Sequence, residues 1–314
     1  MAKLPGPLVK LLEKQQYGFA GSHSAVKICT WTKKSLRDED YCYKQKFYGI
    51  RSHLCCQMSP AVNFCQNACV FCWRDMEFGQ GGKIDDPDDP ADIINNCITQ
   101  QGKLLSGFGG YRLVNRKKLA EAREPMHFAI SLTGEPTEYP KLSKLIRGLH
   151  KRGKTTFLVT NGQNPDVLEK IELPTQLYIS VDAPNEDIFV KTVRSKNKDA
   201  WKRFLQSLDV LRGLKTRTTL RLTLVKGLNM YRPKQWAELI KRAEPLFVEA
   251  KAYMYVGSSR QRLHIENMPR HPEVRAFARK ICSYCGYRII DEKKESRVVL
   301  LMKKDSKDRI MRFL

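Results

Sequence analysis

From residue 126 onward the chain alternates between short apolar runs and amphipathic stretches, and no other pattern interrupts it until about residue 255. Residues 126–132 (MHFAISL), 155–160 (TTFLVT), 177–181 (LYISV), 218–225 and 248–255 read as strands, mostly apolar or β-branched as strands covered on both faces tend to be. Residues 142–151, 165–171, 200–214 and 233–243 read as helices; Trp201, Phe204, Leu205, Leu208 and Leu211 form the clearest apolar stripe. Upstream, residues 54–58 supply a first strand and residues 91–101 a further helix. Alternation of this kind builds a parallel sheet, because each strand needs a crossover helix before the next can run the same way. The expectation is an α/β fold of about six βα units, a (βα)6 partial or nearly closed barrel whose ligands collect at the C-terminal ends of the strands. Residues 58–260 form this core. Residues 1–57 and 261–314 are expected as extensions packed on it, the latter holding a helix near 272–282 and a hairpin of 288–291 with 297–302.

The 314 residues carry 56 Lys and Arg against 33 Asp and Glu, a formal charge of +23 that exceeds what solubility requires and points to a polyanionic partner. The basic residues are dispersed along the chain, which suits a folded basic face; each cluster alone also fits a solvated surface. No run of eighteen apolar residues and no signal pattern occurs, so a membrane partner and secretion are unsupported. Ten cysteines in such a chain point to metal or cluster ligation in a reducing cytoplasm before disulfides.

Cys65, Cys69 and Cys72 form a CxxxCxxC triplet, with Phe71 before the last cysteine, in the loop after the first strand. Three thiolates can hold three irons of a cubane and leave the fourth open to a non-protein ligand. Zinc is the structural alternative, although it prefers four ligands in two separated pairs. The triplet resembles the cluster loop of the radical S-adenosylmethionine (SAM) superfamily. Further likenesses follow at strand ends: Ser131 to Thr137, which contains Thr133, Gly134 and Glu135 and is similar to the superfamily's GGE-type motif; Thr160-Asn161-Gly162; and the run from Ser180 through Asp182 to Pro184. The resemblance implies a radical SAM type barrel in which Thr133, Gly134, Glu135, Asn161, Ser180 and Asp182 bind SAM, with Glu135 suited to its ammonium. It also implies reductive cleavage of SAM to a 5′-deoxyadenosyl radical that abstracts hydrogen. Read without the resemblance, each of these strand-end motifs is a turn signal.

A second set, Cys29, Cys42 and Cys55, is evenly spaced with twelve residues between neighbours, which three scattered core cysteines would have no reason to share. Ordinary buried thiols remain the alternative. Three more thiolates imply a second cluster with another open iron.

Taken together, the evenly spaced cysteines and the CxxxCxxC loop ten residues later resemble the archaeal tRNA 4-demethylwyosine synthase family over nearly the whole length. That resemblance implies two 4Fe-4S clusters, SAM, and condensation of 1-methylguanosine, next to the anticodon of tRNA-Phe, with pyruvate to form a tricyclic base, with electrons from an unidentified donor. It assigns the pyruvate Schiff base to Lys44, two residues after Cys42; from the residues alone, Lys46 is an equal candidate. The modified base must leave its stack, so aromatic and arginine planes are expected around it. Tyr41, Tyr43, Phe47, Tyr48 and Arg51 lie beside Lys44, and Ser258, Ser259, Arg260 and Arg262 follow the last core strand.

Cys282 and Cys285 form a CxxC outside both sets, readable as half a zinc site completed by His264 or His271, as a disulfide, or as a buried pair. Cys56 and Cys97 read as packing residues, Cys56 also as a substitute ligand. Two other functions fit the sequence: another auxiliary-cluster radical SAM enzyme acting on RNA or peptide, and a zinc-stabilised basic RNA-binding module.

Overall fold

The computed structural model describes residues 4–79 and 84–313. Its strands are β1 (Gly18–Phe19), β2 (Ala25–Lys27), β3 (Cys55–Ser59), β4 (His127–Ile130), β5 (Thr155–Thr160), β6 (Gln176–Val181), β7 (Arg217–Leu224), β8 (Phe247–Ala252), β9 (Arg288–Lys293) and β10 (Val298–Met302). They join in the order β1-β2-β3-β4-β5-β6-β7-β8-β10-β9. β3 through β8 are parallel in chain order, while β2 adds to β3 and β10 to β8 antiparallel. The result is an open, partial barrel of the radical SAM type, as expected.

The helices Leu142–Lys151 and Pro233–Ala243 match their sequence expectation, and Pro90–Ser106 runs longer. The helix Glu186–Val193, which the sequence reading lacked, is short and begins directly after the turn at Pro184; Asn185 caps it by accepting from Ile188 N at 3.1 Å. Both chain ends also differ from expectation, because they lengthen the sheet as well as packing on it. β1 and β2 are too short to show a period, and every residue of β10 is buried, which removes the alternation that marks a half-exposed strand. Among the described residues no helix is long and apolar enough to cross a membrane.

Two cores lie on opposite faces of the sheet, sorted by strand alternation. Leu158, Leu177, Ile179, Leu220, Val248 and Leu301 face the helices. Their neighbours Phe157, Tyr178, Phe247, Leu300 and Met302 face inward, where Tyr43, Phe47, Tyr48 and Ile50 meet them. The helix Tyr43–Tyr48 is therefore a plug in the barrel. Gly49, at φ 81°, ends it, and a Cβ there would stand 2.6 Å from Met311 O. Met311 N donates to Tyr48 O at 2.8 Å and Arg309 Nη1 to Phe47 O at 3.0 Å, so the C-terminal tail fastens the plug from below.

Candidate active site

The loop leaving β3 carries Cys65, Cys69 and Cys72, all half-buried. Burial pushes the Cys65 thiol up to about 11 and Cys69 well above its ordinary value, and the neighbouring sulfurs add to both shifts. Arg74 is penalised by burial, but the thiolates of Cys65, Cys72 and Cys69 outweigh that and hold its guanidinium charged. Arg74 also donates to Asn67 O at 2.9 Å and Asn63 O at 3.3 Å, fixing the curl of the loop. From above, Arg262 Nε donates to Val70 O at 3.1 Å and its Nη2 to Cys72 O, and Ser258 N donates to Trp73 O at 3.0 Å. Gly257 is required there: its φ is 58°, and a Cβ would sit 2.4 Å from Trp73 O.

Gly134 passes beneath the same loop at φ 71°, where a Cβ would fall 1.8 Å from Ala61 O. Thr133 O accepts from Ser59 Oγ at 2.5 Å. Glu135 is buried, and its carboxylate accepts from Thr137 Oγ1 (2.7 Å), Thr137 N (3.1 Å), Thr160 Oγ1 (2.6 Å) and Asn161 N (2.7 Å). Burial raises its pKa and these donors oppose the rise. Glu135 thus braces the ends of β4 and β5, and Asn161 Nδ2 reaches Cys65 Sγ at 3.6 Å. Asp182 lies beyond the end of β6, close enough to raise the Cys69 thiol. Burial pushes its carboxyl up to about 7, against the pull of Thr223 and Arg221, and its buried Oδ1 has no hydrogen-bond partner. Ser180, half-buried on β6, pairs with Arg221 of β7.

The second cysteine set also comes together. Cys29 precedes the helix Thr30–Leu36, Cys42 precedes the plug, and Cys55 opens β3. Burial pushes Cys42 up to about 11 and Cys55 well up; Cys29 adds to both shifts and Cys42 to that of Cys55. Lys44 stands beside them, 7 % exposed, with its Nζ 4.5 Å from the Tyr178 ring centroid and 4.9 Å from that of Phe157. Burial and then the Arg221 charge lower its pKa, with Glu249, Cys42 and Cys55 opposing. The structure separates it from Lys46, which pairs with Asp291 at 2.9 Å on the surface. Around Lys44, Arg221 Nε bonds Glu249 at 3.0 Å, and Tyr43 and Tyr48 donate to the same carboxylate at 2.9 and 2.8 Å. Lys251 Nζ lies 5.3 Å from the Tyr43 ring, and burial, then Arg221, pushes it down to about 8.

Residues 59–240 match the radical SAM superfamily and residues 242–303 match a domain described as wyosine base formation. The S-adenosyl-L-methionine-dependent tRNA 4-demethylwyosine synthase of Pyrococcus horikoshii is 49% identical over 96% of this chain and 90% of its own. The chain belongs to the tRNA 4-demethylwyosine synthase family. The synthase of Methanocaldococcus jannaschii is 42% identical, covering 97% of this chain and 98% of its own. A solved structure of TYW1 with a lysine-pyruvate adduct bound superposes with a TM-score of 0.89 at 39% identity, over 98% of this chain and 99% of that one. As a radical SAM member, this synthase-family chain uses SAM and a 4Fe-4S cluster. Its residues fit both groups: three half-buried thiols share one loop, and the orphaned Asp182 carboxylate oxygen lies near them. Among the described residues no three His, Cys, Asp or Glu side chains converge as they would around a single ion.

Sequence reasoning missed Arg74, Arg221, Glu249, Tyr178 and Lys251. A signal existed for three of them: charges at Arg221, Glu249 and Lys251 interrupt strands that are otherwise apolar or β-branched, and a buried parallel strand tolerates a charge only with a partner. Phe47 and Tyr48, candidates for base stacking, are fully buried instead, while Tyr41 stays exposed. His271 bonds Glu292 at 3.2 Å, eleven residues and roughly 16 Å of helix from Cys282, so it does not complete a site with the CxxC. Cys285 packs into the outer core, as do Cys56 and Cys97.

Proposed function

We propose that the chain builds 4-demethylwyosine on tRNA by condensing 1-methylguanosine, beside the anticodon of tRNA-Phe, with pyruvate in the cytoplasm. The observation that carries this reading is Lys44, a buried amine inside the barrel, close enough to Cys42 and Cys55 that their thiols act on its charge. A lysine attacks a ketone only as the neutral amine, and burial shifts Lys44 toward that form. Attack on the pyruvate carbonyl, loss of water and imine formation would then join substrate to Nζ. Arg221 and Lys251 add positive charge suited to the ketoacid's carboxylate, and the rings of Tyr178 and Phe157 exclude water.

Cys65, Cys69 and Cys72 would hold the SAM-binding cluster, with Thr133, Gly134, Glu135, Asn161, Ser180 and Asp182 forming the SAM pocket. Cys29, Cys42 and Cys55 would hold a second 4Fe-4S cluster beside Lys44. When bound and reduced by an external donor, the first cluster with SAM supplies hydrogen abstraction from an unreactive carbon. Arg74 keeps a fixed cation against the loop, which offsets the negative charge of three thiolates.

The test is anaerobic incubation of reduced protein with SAM, pyruvate and tRNA-Phe containing 1-methylguanosine, followed by mass analysis of nucleosides. A tricyclic product is expected. SAM cleavage without that product would point instead to another auxiliary-cluster enzyme.

A further inference from the structure

A cavity of about 550 Å³ opens between the first helix, Gly6–Lys14, the helix Thr30–Leu36 and the segment Gly107–Gly110 that follows Pro90–Ser106. It is large enough for a nucleotide. Gln16, Tyr17, Lys33, Arg37, Phe108 and Tyr111 line it, with Glu13 the one carboxylate among the lining residues. The site described above uses none of them.

Four features mark it as a binding place. The first is an aromatic plane: Tyr111 is 43% exposed with the Arg37 guanidinium 5.7 Å from its ring centre. The second is an unsatisfied donor, since Arg37 Nε is buried without a hydrogen-bond partner.

The third is glycine usage. Gly107, Gly109 and Gly110 avoid the left-handed region, and a Cβ on any of them would meet nothing within 4 Å. Neither backbone nor packing requires glycine there, and close approach of an outside molecule is a reason that remains. The fourth is position: Ile28, on the cavity wall, directly precedes Cys29, and Tyr17, also on the wall, stacks on Trp73, which directly follows Cys72. The wall is therefore one residue from the second cysteine set and one ring contact from the residue after the first. Beyond its rim, Leu113 is 66% exposed between Arg112 and Arg116, which are exposed as well.

We infer that this cavity holds an unpaired nucleotide of the RNA substrate next to the one that is modified, its base stacked on Tyr111 and its phosphate met by Arg37 and Lys33. The inference rests on the reading that the substrate is tRNA. An exposed ring beside two cations suits a base and its phosphate, which would compete with the present partners of those cations, Glu39 at 2.7 Å from Arg37 and Gln16 at 3.2 Å from Lys33.

The test compares variants for binding to a fluorescent anticodon stem-loop RNA containing 1-methylguanosine, by anisotropy across a salt series. Tyr111→Ala is expected to weaken binding about tenfold with the salt dependence unchanged, because stacking releases no counterions. Tyr111→Phe keeps parental affinity and Tyr111→Leu behaves like the alanine variant. Arg37→Gln with Lys33→Gln weakens binding and flattens the salt dependence. Parental affinity in Tyr111→Ala overturns the inference, as does full affinity in Tyr111→Leu, which would leave no role for a base stacked on the ring. A parent that neither binds nor converts the RNA overturns the proposed function too, whereas a converting parent with an indifferent Tyr111→Ala removes this cavity alone.

Discussion

Lys44 and Lys46 lie two residues apart on one short helix and meet opposite environments: Lys44 Nζ lies 4.5 Å from the Tyr178 ring centroid inside the barrel, and Lys46 Nζ pairs with Asp291 at 2.9 Å outside it. The contrast predicts which amine captures pyruvate. Borohydride added with pyruvate should attach a reduced adduct to the parent chain and to Lys46→Ala, and none to Lys44→Arg, as read by intact mass. Arginine cannot form the imine, so labelling of Lys44→Arg would move the chemistry to another residue.

The two thiol sets make a count. Anaerobic reconstitution should load roughly eight irons per chain, and replacing Cys29, Cys42 and Cys55 together by alanine should leave about four. Iron and sulfide assay decides it; an unchanged iron content would leave the second cluster without support.

Glu249 is fully buried and holds Arg221, Tyr43 and Tyr48 at once. Glu249→Ala strands a buried guanidinium and two hydroxyls, and should lower stability by about 3–5 kcal/mol in denaturant unfolding. Adding Arg221→Met should recover part of that loss, because the uncompensated charge leaves with it.

His127 accepts from Arg51 N on Nε2 at 3.1 Å, and its Nδ1 lies 2.7 Å from Thr155 Oγ1, an arrangement of the neutral ring. Burial, reinforced by Arg51, His53 and Lys44, pushes its pKa down from 6.5 to about 3. Between those values the unfolded chain takes up a proton that the folded chain refuses, so stability is intact above pH 6.5 and falls as the pH drops. The loss should approach roughly 2 kcal/mol between pH 6.5 and 5. Thermal unfolding across that window should show a shallower decline for His127→Gln than for the parent; equal slopes would refute the assignment.

The parallel strands were legible because their runs are apolar and their helices carry clear stripes, as at Phe204, Leu208 and Leu211. The cysteine sets were legible because spacing survives in sequence. Lys44 was legible only through family register, since its depressed pKa comes from Phe157, Tyr178 and Arg221, more than a hundred residues away. The Glu249 network was missed for the same reason: its partners come from the plug and from β7, and no local pattern joins them. Gly134 looked like a turn residue, and its need for glycine appears only once Ala61 O lies where a Cβ would be.

The plug also bears on the order in which the chain matures. Its neighbours in the inner core include Phe247, Val298, Leu300 and Met302, and its lower end is tied to Met311 and Arg309. Lys44 leaves the ribosome early, yet the chamber that lowers its pKa is assembled only after residues 298–311 have emerged. A nascent chain thus presents an ordinary lysine to the ketones of the cell, and the buried amine with its lowered pKa belongs to the folded barrel.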